Sequence, residues 1–595
     1  MNESLLPGAE AQPASAPSVR FYIAATTPLQ DRRPRTLKHG DTFAVFDHYG
    51  DIIPAEGSPE GIYHRDTRYL SGLQLLIDDR EPLLLSSVVQ DNNAALTADL
   101  TNPDIFDARD RLRLAKSTIH IVRAKFIWEA RVYERLAVRN FDDRPHTIRL
   151  KLRFQTDFAD LFEVRGHERA ARGRTSAAVH GSHALAFTYE ALDGVISRTI
   201  VQFAPTPTRL SEGEAVFELS LKPQERASLF FVVECDGGPS IRPWAERFFT
   251  CLRDARRALR TSSGRAASVE TSNEIFNEAL RRSVADLYML MTDTDQGPYP
   301  YAGIPWFCTA FGRDGIITAM QLLWLDPAIA RGVLRFLAAT QAKEARPEAD
   351  AEPGKILHET RRGEMARLGE VPFGQYYGSV DATPLFVMLA GMYYERTGDL
   401  ETIRGLWPHI QAALRWIDEY GDLDGDGFVE YATKSDQGLF NQGWKDSEDS
   451  VFHADGKLAS GPIALCEVQG YVFAAKRLAA RLAGALGLGP LAEQLRAEAA
   501  ALQERFEAAF WCDDLATYAL ALDGAKRPCR VRTSNAGQAL LSGIASPERA
   551  ELTARVLMSR DCFSGWGIRT VAESEMRYNP MSYHNGSVWP HDNAL

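Results

Sequence analysis

The hydrophobic period of this chain changes once, from two to about 3.6, near residue 260, and that change limits what each half can fold into. In Ile148-Arg149-Leu150-Lys151-Leu152-Arg153-Phe154 apolar and basic residues take strict turns, which reads as a strand with one face buried. Thr42 to Phe46, Gly72 to Ile77, Leu83 to Val89, Ile119 to Val132, Ala184 to Tyr189, Ile196 to Phe203, Val216 to Leu221 and Ser228 to Val233 read similarly. Short strands punctuated by Gly, Pro and Asp predict a β-sandwich of about 200 residues.

Past the change, Thr271-Ser272-Asn273-Glu274 matches a capping box, and Ile275, Phe276, Ala279, Leu280, Leu287, Tyr288 and Met291 follow at helical spacing. Helices of about 12–20 residues are predicted to begin near 314, 327, 382, 399, 461, 490, 535 and 546. Asp326-Pro327 and Ser546-Pro547 each supply a cap and a first-turn proline. Long helices alternating with loops predict an α/α barrel of helical hairpins. The expected organisation is a disordered terminus over 1–25, a β-sandwich over 26–240, a linker helix opened by Pro243 with a flexible loop over 241–270, and the barrel over 271–595. Lys343 to Lys355, with two prolines and many charges, reads as a mobile insertion.

Composition excludes several functions. At 45% hydrophobic and 25% charged, the 595 residues suit a folded soluble protein. A net charge of −12, with 67 basic residues against 79 acidic ones, argues against a nucleic-acid or acidic-membrane partner. No apolar run approaches the about 18 residues that span a bilayer, and the first residues lack the pattern of a secretory signal. Seven scattered cysteines without a CxxC reject a zinc ribbon and suit reduced thiols, so a cytoplasmic location is expected.

The loops of the helical half are rich in Trp, Tyr, His, Gly and carboxylates, including Trp306, Trp444, Trp566 and Trp589, a mixture that suits a binding cleft. In Asn441-Gln442-Gly443-Trp444-Lys445-Asp446-Ser447 an aspartate sits beside an indole and amides. Apolar walls raise a carboxyl pKa, as a general acid needs; a loop aspartate capping the next turn is the alternative. Phe311-Gly312-Arg313-Asp314-Gly315 opens a helix after Trp306-Phe307, and Asp314 is either an N-cap or a carboxylate that grips sugar hydroxyls. Tyr583-His584-Asn585-Gly586-Ser587-Val588-Trp589-Pro590-His591-Asp592 packs aromatic and polar groups of the kind that hold a sugar ring, and His358, Glu359, Tyr376, Tyr377 and Asp381 lie in similar loops. Asp422-Leu423-Asp424-Gly425-Asp426-Gly427 matches half of a calcium loop, but Thr433 stands where its glutamate belongs, which favours a plain Asp/Gly turn.

Taken in order, these motifs resemble the bacterial amylo-α-1,6-glucosidase-like family of glycogen debranching proteins. The resemblance is carried by His39 to Phe43, Gly61 to Arg68, Phe158 to Gly166, Gly312 to Gly315, Asn441 to Ser447, Ser534 to Gly537, Gly565 to Thr570 and Tyr583 to Asp592. It implies an N-terminal β-sandwich followed by an (α/α)6 toroid, and inverting hydrolysis of an α-glucosidic bond. It implies Asp446 as general acid and Asp314 in substrate binding, and with them Trp306, Phe307, Arg313, Glu359, Asp381, Trp444, Lys445, His584, Asn585, Trp589, His591 and Asp592 form the candidate site. An α-glucan or oligosaccharide is the expected substrate, with no cofactor and no metal, because hydrolysis needs only water and carboxylates. In that family the general base is a Glu in a later loop, past the segment matching His584 to Asp592. Here the sequence stops at Leu595, so the expectation is a toroid incomplete at its C-terminus and lacking its base. The competing readings are a glycan-binding protein with an incomplete site, and a related α-glycosidase acting on trehalose or a mannosyl glycoside.

Overall fold

The structure, a computed structural model, describes residues 34–55, 57–236 and 244–595. The expected disordered terminus over 1–25 and Pro243 lie outside the described residues. An eight-stranded antiparallel sheet runs, edge to edge, Arg174–His180, Ala184–Glu190, Ile196–Ala204, Arg226–Cys235, Arg131–Asn140, Ile119–Trp128, Leu96–Thr101 and Leu83–Val89. A four-stranded sheet, Arg209–Ser211, Glu214–Leu221, His146–Gln155 and Gly72–Ile77, packs against it. The alternation read at Ile148 to Phe154 is the reason: Ile148, Leu150, Leu152 and Phe154 join Ile121, Leu136, Phe203 and Phe231 in one core, and the residues between them face outward. The single strand expected over Ile119 to Val132 is instead the hairpin Ile119–Trp128 and Arg131–Asn140. Its two-residue turn, Glu129-Ala130, adopts φ 49° and 58° without glycine, so no turn residue interrupts the alternating pattern.

A third sheet, Arg35–His39, Thr42–Phe46, Gly61–His64 and Thr67–Leu70, joins the two halves. Its Phe43, Val45 and Tyr63 pack in the same core as the helices. A connecting helix, Trp244–Ser263, extends through the first part of the loop expected to be flexible, Thr261 to Arg265. The helix Glu274–Leu290 is capped by Asn273, whose side chain accepts from the Phe276 amide at 3.1 Å, so the capping box on Thr271 does not form.

The remaining long helices alternate in character along the chain. Gly312–Gln321, Ala382–Thr397, Cys466–Ala485 and Asn535–Ser542 are buried over most of their surface. Pro327–Ala339, Leu400–Trp416, Gly489–Ala509 and Pro547–Leu557, which follow them one by one, bury a single stripe. A helix covered all round must lie inside and a striped one outside, so the hairpins build two concentric layers. Among the described residues, no helix is long and apolar enough to cross a membrane.

Lys343 to Lys355 is not the mobile insertion its charges suggest. Asp350 accepts from the Tyr376 hydroxyl at 2.8 Å and the Lys434 amide at 2.7 Å, and Glu352 accepts from the Trp416 indole at 2.7 Å. Its acidic groups have buried donors waiting on other segments, and pairing makes burial of charge tolerable.

Candidate active site

The inner helices all present their N-terminal ends to one side, and the candidate residues gather there. Gly312 begins its helix so close to the next segment that a Cβ would lie 1.9 Å from the Leu357 carbonyl oxygen. Only glycine permits that approach, and it sets Arg313 and Asp314 in the first turn. Asp314 is therefore inside the helix and is not its N-cap; Phe311 holds that position. Asp381 immediately precedes the helix Ala382–Thr397.

Asp446 is held by bolts on both sides. The buried ammonium of Lys445 donates to the Thr570 carbonyl at 2.6 Å, and the Ser447 hydroxyl bonds His584 Nδ1 at 2.6 Å. Asn441 spans the loop, donating to the Ser447 carbonyl at 2.7 Å. The carboxyl group thus projects from a rigid turn into a cleft of about 420 Å³, lined by Phe307, Phe311, Arg313, Asp314, Trp444, Tyr583, His584, Trp589 and His591 among others. Its side chain is 29% exposed, open to the cleft and walled elsewhere. Trp444 packs edge-on against His591, His584 and Trp589 at 4.9, 5.6 and 5.8 Å.

Charge at the floor is arranged around Arg313. Its Nη1 donates to both oxygens of Asp381 at 3.2 Å, while the Ser379 hydroxyl holds Asp381 at 2.6 Å. Its Nη2 lies 3.5 Å from Asp446 Oδ2. Arg313 is thus committed to Asp381 and only grazes Asp446. Burial pushes the Asp446 carboxyl up from 3.8 to about 6; Arg313 opposes this and Asp314 adds to it. Burial also raises Asp314. His584 is pushed down to about 2 by burial and by Lys445 and Arg313, so it is neutral, and its Nδ1 can accept from Ser447.

Of the residues named from sequence, Phe307, Arg313, Asp314, Trp444, Asp446, His584, Trp589 and His591 line the cleft. Trp566, also expected at the cleft, is instead exposed to solvent and absent from the lining, and the other members of the candidate site stand behind the wall. Glu359 pairs with Arg361 at 2.9 Å, Trp306 gives its carbonyl to the same arginine at 3.0 Å, Asn585 bonds Asp449 at 2.9 Å, and Asp592 accepts from Gln538 at 2.8 Å. Asp381 and Lys445 act on the cleft through Arg313 and the Asp446 turn. Tyr301, Gln321, His358 and Tyr583 also line it. His358 and Tyr583 belong to loops singled out from the sequence, whereas nothing local marks Tyr301 or Gln321. A larger concavity of about 740 Å³ lies on the β-sandwich, but of its carboxylates Asp157 is paired with Arg68 and buried Glu60 accepts from the Ile53 amide, and its aromatic, Phe187, is buried.

The Asp422, Asp424 and Asp426 oxygens approach within 4.8 Å of one another. The ammonium of Lys526 sits among them, 3.0 Å from Asp424 and 2.6 Å from Asp426, and also bonds Glu430. The turn holds its own cation.

Comparison with known proteins finds matches for both halves of the chain. Residues 37–232 match the family described as the N-terminal domain of (some) glycogen debranching enzymes, and residues 311–595 match the mannosylglycerate hydrolase MGH1-like glycoside hydrolase domain. No curated protein matches the chain in sequence. Among solved structures, a bacterial glucoamylase complexed with acarbose is similar in fold, with a TM-score of 0.53 at 9% identity over 94% of this chain and 87% of that one. A putative kojibiose phosphorylase from human microbiome gives a TM-score of 0.49 at 10% identity over 82% and 69% of the two chains. The two family matches thus fall in register with the two halves of the chain, the first similar to a debranching-enzyme N-terminal domain and the second to an MGH1-like glycoside hydrolase domain, and the fold resembles that of the glucoamylase.

Proposed function

We propose that this protein is a cytoplasmic glycoside hydrolase of the amylo-α-1,6-glucosidase type, which cleaves α-glucosidic bonds in glycogen-like or oligosaccharide substrates with inversion. The observation that carries the reading is the Asp446 carboxyl, fixed at the floor of an aromatic cleft and pushed up to about 6. A carboxyl with that pKa is protonated over a useful fraction of molecules near neutrality and can hand its proton to the glycosidic oxygen. As the C–O bond breaks, positive charge develops on the sugar ring and negative charge on Asp446. Arg313 Nη2, 3.5 Å away and held by Asp381, stabilises the carboxylate that results. Asp314 lines the same cleft and would grip sugar hydroxyls there, and Trp444, Trp589 and Tyr583 supply aromatic wall of the kind that suits the apolar side of a sugar ring. Inversion calls for a second carboxylate about 6.5–9.5 Å from the acid to activate water.

The test is sugar release from an α-1,6-branched oligosaccharide, followed by NMR to read the anomer formed, in the wild type and in Asp446→Asn. Release of the β-anomer, lost in the variant, is expected. Retention of configuration, or a variant as fast as the wild type, refutes the assignment.

A further inference from the structure

His358 lines the cleft, and the mechanism above gives it no part. Its place follows from the backbone. The chain is extended here as it enters the short strand Glu359–Thr360, and successive side chains of an extended chain leave on opposite sides. Glu359 turns back to Arg361 at 2.9 Å, so His358 turns to the cleft. The main chain fixes it on both flanks: its amide donates to the Tyr376 carbonyl at 2.7 Å, and its carbonyl accepts from the Gly312 amide at 2.8 Å. Gly312 starts the helix that carries Arg313 and Asp314, so His358 is tied to the same floor as those two. The ring stands edge-on between Phe311 and Tyr376, each centroid 5.8 Å away, with interplanar angles of 86° and 88°.

Packing of that kind asks nothing of the ring's nitrogens, and a phenyl group would fill the slot as well. Yet His358 is only 3% exposed, its Nδ1 is buried with no hydrogen-bond partner, and among the described residues none bonds Nε2. Since Nδ1 is the sealed nitrogen and the ring borders the cleft, Nε2 is the one that meets the cavity. His584 on the same wall shows the contrast, because its Nδ1 is taken by the Ser447 hydroxyl at 2.6 Å. Burial, with the Arg313, Arg361 and Lys355 cations, pushes the His358 imidazole well below its usual range. It is therefore neutral and offers one donor and one acceptor. A buried polar group without a partner lowers stability, and a ligand that supplies the partner relieves that cost only when bound. Trp444, which borders the same cavity beside Asp446, likewise keeps a buried Nε1 with no partner in the protein.

The geometry points to His358 as a substrate-binding residue whose Nε2 hydrogen-bonds a hydroxyl of the sugar that Asp446 protonates at its linkage. This rests on the glycosidase reading above. A hydroxyl donates and accepts, so either tautomer of the ring can serve it, whereas a deoxygenated carbon leaves the ring unpartnered. The cleft therefore selects a sugar with a free hydroxyl at that position.

The experiment compares the wild type, His358→Phe, His358→Gln and His358→Asn on 4-nitrophenyl α-glucoside and on its monodeoxy analogues, each lacking one hydroxyl. Phenylalanine keeps the edge-on packing and removes both nitrogens. Its kcat/KM on the parent glycoside should fall about 10- to 100-fold, while its melting temperature should not fall. On one analogue, the one lacking the bonded hydroxyl, wild type and His358→Phe should differ by less than about twofold. The glutamine amide reaches as far as Nε2 and the asparagine amide only as far as Nδ1, so glutamine should recover part of the loss and asparagine none. That pair carries the comparison should the phenylalanine variant fail to fold. No loss on the parent glycoside, the same loss on every analogue, or asparagine as active as glutamine overturns the assignment. If the wild type cleaves no glycoside, the functional reading fails and calorimetric titration with an α-1,6-linked gluco-oligosaccharide decides. Binding about tenfold weaker in His358→Phe then supports the role, and equal affinities or no binding overturn it.

Discussion

Replacing Asp446 by Asn should cost activity and add stability, and the two effects have one cause. A carboxyl moved from 3.8 to about 6 disfavours its own ionised form in the fold. At about 1.4 kcal/mol for each pH decade, the ionised group costs about 3 kcal/mol. The side chain is 29% exposed, and solvent screening reduces this to about 1–2 kcal/mol. For a raised carboxyl pKa the cost is absent below 3.8, grows between 3.8 and 6, and is complete above 6. Asparagine has the same size and no charge, and Arg313 keeps both oxygens of Asp381 at 3.2 Å. The variant should therefore melt a few degrees above the wild type at pH 8, with the gap closing toward pH 4. Its kcat/KM should fall about 10²–10⁴-fold, and the wild-type kcat/KM should decline above about pH 6 as the acid loses its proton. Thermal melts at several pH values and a pH–rate profile measure both. A variant less stable at pH 8 than the wild type, together with activity flat from pH 5 to 8, would mean that the Arg313 contact dominates and that Asp446 is a plain carboxylate.

Arg361→Ala leaves the buried Glu359 and Asp66 without their cation, Asp66 keeping only the Arg362 amide, at the seam between the halves; it should destabilise the protein by about 3–5 kcal/mol, seen as a lower urea midpoint, and an unchanged midpoint would show that the ion pairs add nothing to the seam. Lys526→Ala removes the ammonium from among Asp424, Asp426 and the buried Glu430, which should cost about 2–4 kcal/mol. Added calcium should raise the melting temperature of that variant and leave the wild type unmoved; a wild type destabilised by EDTA would contradict this. Gly312→Ala forces a Cβ against the Leu357 carbonyl and should lower stability by about 1–3 kcal/mol while misplacing Arg313, so kcat/KM should fall further than stability alone explains.

Element positions were largely legible because they rest on neighbours in the chain. Gly72–Ile77 and Leu83–Val89 fall where alternation puts them, and the helices beginning at Pro327, Ala382 and Asn535 start at the predicted residues. Failures came where a local pattern was ambiguous. The turn at Glu129-Ala130 has no glycine to betray it, and the charges of Lys343 to Lys355 read as solvated when their partners are Tyr376, Trp416 and Lys434, far along the chain. The aromatic and carboxylate loops were conspicuous as residue types, yet sequence did not separate Asp314, on the cleft wall, from Glu359, behind it and bonded to Arg361.

By itself the sequence determined the order of the two halves and the chemistry collected in the loops, since hydrophobic periodicity and residue type act over a few positions. Only the tertiary structure decided the surroundings of Asp446. Arg313 lies 133 positions from Asp446, and Arg361 lies 295 from the Asp66 that anchors it. Burial and charge act through distances in space, so pKa and exposure exist only once the chain has closed on itself.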